Sequence, residues 1–109
     1  MIVIVDAATV PESKPLAVRV SDTLTLAVCR LGDTYYAFDS KCPHRGADLA
    51  EGEVSGGLIV CPLHHFKFTL KTGRCLMPKH LRLRSFPVLE KAGELRIELQ
   101  MEQDAPRPV

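Results

Sequence analysis

An all-β sandwich or barrel is the fold class that this sequence predicts. Short apolar or β-branched runs recur along the chain, turn residues interrupt them about every ten residues, and no window sustains a helical period. The runs can be taken in order. Val3 and Val5 alternate with neighbours in the opening segment, and "LAVRV" (16–20) and "TLTLAVC" (23–29) follow after Pro11 and Pro15 have broken the chain. Gly32-Asp33 then makes a compact turn into an aromatic strand from Tyr35 to Phe38. "GGLIVC" (56–61), "FKFTL" (66–70) and "RSFPVLE" (84–90) are further strands. The last of these turns at Ala92-Gly93 and returns as "ELRIEL", with Leu95, Ile97 and Leu99 on one face. Residues 101–109 are polar and proline-bearing and read as a frayed tail, which leaves one domain over residues 1–100 with no repeat and no internal linker.

Bulk properties narrow the function classes. A chain of 109 residues makes one compact domain, a small module rather than an enzyme with a deep cleft of its own. A net charge of +1 points to neither nucleic acid nor an anionic membrane. The apolar run before Asp6 is too short for a signal peptide and has no basic residue ahead of it, and no stretch approaches a membrane span. The expectation is a cytoplasmic protein, in which four cysteines serve as ligands or buried thiols rather than disulfides.

Two loops hold the informative residues. "CPHRG" carries Cys42 and His44; "CPLHH" carries Cys61 and two candidate histidines, His64 and His65. Each loop follows a strand, and in each a proline (Pro43, Pro62) comes directly after the cysteine and stiffens the backbone. Two Cys-plus-His pairs at such short spacing are not what scattered polar loop residues look like. A catalytic Cys–His pair would use one of each and leave the duplication unexplained. A Cys₂His₂ zinc site suits the ligand types, although zinc pairs usually keep two to four residues between ligands and Cys42 and His44 have one. The fourth reading is a [2Fe–2S] cluster with two cysteines on one iron and two histidines on the other.

"CPHRGADL" and "CPLHHFKFTLKTG", with sixteen residues from Arg45 to Val60, closely resemble the paired cluster boxes of Rieske-type ferredoxins: C-x-H, a gap of about fifteen to seventeen, then C-x-x-H. The resemblance runs from about Val18 to Leu99 and includes "YYAFDSKCPHRGA", "F-x-L-x-T-G" and Pro78, where the family keeps a proline loop over its cluster. It implies a Rieske fold, an antiparallel β-sandwich or barrel base with a small cluster-binding subdomain at about residues 40–80. It also implies one [2Fe–2S] cluster per chain, with Cys42 and Cys61 on one iron and His44 and His64 on the other, leaving His65 spare. Family members often have a glycine just after the second histidine ligand; His65 and Phe66 fill those positions here, so the backbone must manage without one.

The implied function is one-electron transfer between a flavoprotein reductase and a terminal oxygenase, with no catalysis, nucleic acid, membrane or small-molecule substrate of its own. The small subunit of an assimilatory nitrite reductase shares the motif, and a zinc-stabilised interaction module is the alternative of another class. With neutral imidazoles, two ferric ions, two sulfides and two thiolates sum to zero, so reduction adds only one negative charge. High-potential respiratory members add a disulfide across positions that match Ala47 and Leu63. They also carry hydroxyl donors at positions matching Phe66 and Phe68. Neither feature is available here, which implies a low potential, nearly independent of pH around neutrality. Lys41, Arg45, Lys67, Lys79 and Arg82 would form a moderate basic rim around the docking tip, whereas oxygenase ferredoxins are commonly acidic.

The remaining candidates have simpler expectations. Cys29 is a buried small hydrophobe, Cys75 a thiol packed against the domain, and His80 a solvated surface residue. Gly46 and Gly52 match family glycines that let backbone amides approach the sulfides.

Overall fold

A computed structural model describes residues 1–43, 47–63 and 65–99. Its strands are β1 (Ile2–Asp6), β2 (Leu16–Arg19), β3 (Thr25–Leu31), β4 (Thr34–Asp39), β5 (Glu53–Ser55), β6 (Leu58–Val60), β7 (Lys67–Thr69), β8 (Ser85–Phe86), β9 (Val88–Lys91) and β10 (Glu94–Glu98). They form three antiparallel sheets, ordered β1-β10-β9, β2-β3-β4-β8 and β5-β6-β7. Two short 3-10 turns, Ala7–Thr9 and Leu49–Glu51, are capped by Asp6 and Asp48, whose carboxylates accept from the Ala8 and Ala50 amides.

The second sheet lies between two apolar cores. One face of β3 and β4 places Leu26, Val28 and Ala37 against Val5, Leu95 and Ile97 of the first sheet and Leu99 just past it. The other face places Ala27, Cys29 and Phe38 against Leu49, Val54, Ile59, Phe68 and Leu83. Burial on both faces explains why "LAVC" runs apolar without alternation, while "ELRIEL", buried on one face, alternates cleanly. The second core takes its remaining members from residues 42–83 and contains Cys42, Cys61 and Cys75.

Three hairpins turn in two residues. Gly32-Asp33 has positive φ at its first residue only, and Gly56-Gly57 at both. The Ala92-Gly93 turn also needs positive φ at both positions, and Ala92 takes φ +53 where glycine or asparagine is ordinarily found.

The structure departs from the sequence expectation in two places. "RSFPVLE" is not one strand: Pro87 divides it, so that β8 pairs with β4 in the second sheet and β9 pairs with β10 in the first. Proline has no amide to donate, and the chain changes sheets where that donor is missing. "EGEVSGG" contains a strand, β5, whose three residues pair with β6 alone. Among the described residues no helix is long and apolar enough to cross a membrane.

Candidate metal centre

The two motif loops have the same frame. Lys41 and Asp48 pair as an antiparallel bridge, and the six residues 42–47 lie between them. Val60 and Lys67 pair at the mouth of the β6–β7 hairpin, and the six residues 61–66 lie between them. In each loop the first residue is the cysteine, and its amide donates to the carbonyl of the last: Cys42 to Ala47 at 2.8 Å, Cys61 to Phe66 at 2.7 Å. The first loop is braced further from below. Ser40 donates to Thr25 and accepts from Leu49, and Asp39 accepts from the Lys41 amide at 3.0 Å.

This frame brings Cys42 and Cys61 together. Both are buried, neither is in a disulfide, and the Cys42 side chain lies within hydrogen-bonding reach of Cys61. Burial pushes the Cys61 thiol up to about 11, and the neighbouring Cys42 adds to the rise; a backbone hydrogen bond at Leu63 pulls the other way. Such a thiol is ionised by a bound cation rather than by solvent. Two facing, unbridged thiols walled by Leu49, Ile59 and Phe68 are a soft donor pair in a dry setting, which fits one iron of a [2Fe–2S] group. The other two expected ligands, His44 and His64, lie outside the described residues, as do Arg45 and Gly46.

The neighbouring residues divide clearly. His65 is exposed and holds φ +56, so the position just after the second expected histidine does require the left-handed backbone that glycine usually supplies. Cys29 is fully buried, and burial pushes its thiol up to about 12. Cys75 is buried and its thiol donates to the Met77 carbonyl at 3.3 Å, while His80 is exposed. Gly52 sits where two backbone segments approach closely. Its amide donates to Leu49 at 2.9 Å, and its Cα packs on the Val60 carbonyl so closely that a Cβ would overlap the oxygen and meet the carbon at 3.1 Å. It clamps the exit of the first loop to the entry of the second.

The segment after β7, which holds Pro78 of the expected proline loop, is tied to the second loop by backbone bonds that the motif spacing did not show. Cys75 donates its amide to Leu81 and bridges Phe68, Leu76 donates to Lys67, and a cis peptide links Met77 to Pro78. The backbone contacts of Cys75 and Leu76 leave Leu76 and Met77 out in solvent at 46% and 78% exposure, on the same module as the second loop.

A Rieske [2Fe-2S] domain model matches residues 1–87. The chain belongs to that family. Among its relatives, the 3-phenylpropionate/cinnamic acid dioxygenase ferredoxin subunit of Escherichia coli strain K12 is 35% identical over 94 residues, covering 84% of this chain and 87% of the relative. The ferredoxin of carbazole 1,9a-dioxygenase from Nocardioides aromaticivorans IC177 superposes with a TM-score of 0.78 at 28% identity, over 89% of this chain and 95% of that one. A chain from the complex of reduced oxygenase and oxidised ferredoxin in carbazole 1,9a-dioxygenase superposes with a TM-score of 0.77 at 33% identity, over 85% and 96%. The Rieske assignment implies an iron–sulfur cluster.

Proposed function

We propose that this Rieske protein is a low-potential ferredoxin, a one-electron carrier between a flavoprotein reductase and a terminal oxygenase, and not itself a catalyst. The carrying observation is the pair of buried, facing thiols at corresponding positions of two equal loops. Relatives that are ferredoxin subunits of dioxygenases favour an oxygenase as acceptor over a nitrite reductase. One cluster per chain would be held by Cys42 and Cys61 on one iron and by His44 and His64 on the other, within a single domain over 1–100 whose cluster-binding part spans about 40–80. When bound, the cluster takes up one electron and passes it on.

The chain's own residues make that exchange easy to repeat. The closing amide bonds at Cys42 and Cys61 hold the loops in one geometry, and the apolar core behind the thiols keeps water away from them. Phe68 is fully buried beside the cysteines and brings no donor, which supports a midpoint in the range of about −150 to −50 mV. Four unbridged cysteines support a reducing, cytoplasmic setting.

Purified protein should be red-brown, contain iron and acid-labile sulfide in equal amounts, and bleach with dithionite. A colourless protein with stoichiometric zinc would end this reading in favour of a zinc-stabilised module. A midpoint above about +100 mV, or one that slopes markedly between about pH 6 and 8, would remove the low-potential assignment.

A further inference from the structure

Net charge hides an uneven distribution. From Val54 to Leu89 the chain holds six Lys and Arg residues and not one Asp or Glu, while all thirteen carboxylates lie in the flanking segments. That stretch contains β6, β7 and the second motif loop, so this side of the expected cluster region is basic, whereas the first sheet, with Asp6, Glu90, Glu94 and Glu98 against Lys91 and Arg96, is net acidic. Lys67, Lys71, Arg74, Lys79 and Arg82 are all exposed, and among the described residues none of them ion-pairs with a carboxylate.

Their placement works against the folded state of the isolated chain. Arg74 and Arg82 stand opposite one another across an antiparallel bridge, where like charges repel. Arg82 Nε donates to the Thr72 carbonyl at 3.3 Å, which anchors the guanidinium without neutralising it. Beside this pair an open depression of about 250 Å³ is lined by Thr69, Thr72, Arg74, Cys75, Leu76 and Lys79. Two cations, two hydroxyls and an exposed leucine suit a carboxylate side chain with an apolar neighbour. The depression borders the cluster module directly: Leu76 is bonded to Lys67, which pairs with Val60 next to Cys61. Exposed Leu63, Leu76 and Met77 supply the apolar centre that a polar-rimmed interface needs.

We infer that the face carrying Lys67, Arg74, Lys79 and Arg82 is the docking surface for an acidic protein, the redox partner that exchanges the electron. This rests on the electron-carrier reading above and adds the sign of the partner's surface. The opposed acidic sheet gives the molecule a charge dipole that turns the cluster side toward such a partner before contact. Nucleic acid is disfavoured by a pI of about 7.7.

The test uses the cluster-loaded protein and titration calorimetry with a poly-L-glutamate of about 20 residues, a DNA duplex and phosphatidylserine vesicles as probes. Poly-L-glutamate should bind, and its affinity should rise at least about tenfold as salt falls from about 200 to about 20 mM. The double variant R74E/R82E should weaken binding about tenfold at low salt, whereas K14E/K91E, an equal change in net charge elsewhere, should stay within about twofold. If charge reversal unfolds the chain, R74Q/R82Q replaces it, with about half that effect on a logarithmic scale. Absence of binding, equal weakening by both double variants, or tighter binding to duplex or vesicles overturns the inference. The visible spectrum separates the two readings. Without a cluster band the electron-carrier reading fails, and with the band intact a negative titration removes only the basic docking face.

Discussion

Cys42 and Cys61 open two loops of identical length and each closes its own loop through the same amide-to-carbonyl bond, to Ala47 and to Phe66. The expected histidine ligands nevertheless stand two residues after the first cysteine and three after the second. Equal frames with unequal ligand spacing leave the second loop one residue fewer after its histidine in which to return to the strand. His65 makes that return at φ +56.

His65 and its neighbour should therefore separate on mutation. His64→Ala should abolish the visible cluster spectrum, and His65→Ala should retain it. His65→Gly should retain the spectrum and stabilise the fold by about 0.5–1 kcal/mol, because glycine accepts the left-handed backbone without a Cβ penalty. His65→Val should cost about 1–2 kcal/mol. Absorbance together with denaturant unfolding reads all four variants, and loss of the spectrum in His65→Ala with retention in His64→Ala would reverse the ligand assignment.

Gly52→Ala should destabilise by about 2–3 kcal/mol and loosen cluster retention. Gly52 has φ −90, a conformation open to any residue, so the cost is purely the collision with the Val60 carbonyl. That neighbour is backbone one residue before Cys61 and cannot swing aside. Unfolding midpoints and the rate of bleaching in chelator would check it; an alanine variant as stable as the parent would contradict the clamp.

Cys29 makes stability sensitive to alkali. Its folded thiol titrates near 12 against an ordinary 9.0, so between those values the native state keeps a proton that the unfolded chain releases. Its contribution is intact below about pH 9 and then falls by about 1.4 kcal/mol per pH unit toward pH 12. Cys29→Ala lowers stability at pH 8 by leaving a small void, yet its loss between about pH 8 and pH 10 should be smaller than the parent's by about 1 kcal/mol. Parallel slopes in the two proteins would exclude the buried thiol as the cause.

Ala92→Asn should stabilise the β9–β10 hairpin by about 1 kcal/mol and raise Tm by about 4–8 °C, since asparagine tolerates the positive φ that Ala92 is forced to adopt. The site lies in the first sheet, away from the cysteine core, so the visible spectrum should not change. A lowered Tm would show that the turn is held by something other than its backbone preference.

The strand pattern, the two-residue turns and the Cys-x-His and Cys-x-x-His spacings were all legible along the chain, because each depends on residues within a few positions of one another. The chain could thus announce its fold class, its cysteine pair and the awkward position at His65. Contacts between distant segments left no such trace. The close approach of Gly52 to Val60, the division of "RSFPVLE" between two sheets and the opposition of Arg74 to Arg82 arise only when separate segments meet. Even the carboxylate-free stretch, plain to count, acquires meaning only once folding has set Arg74 opposite Arg82 and beside Lys79. Local sequence sets backbone preference and ligand chemistry, whereas packing sets which atoms come within reach of each other, and docking and clamping depend on the latter.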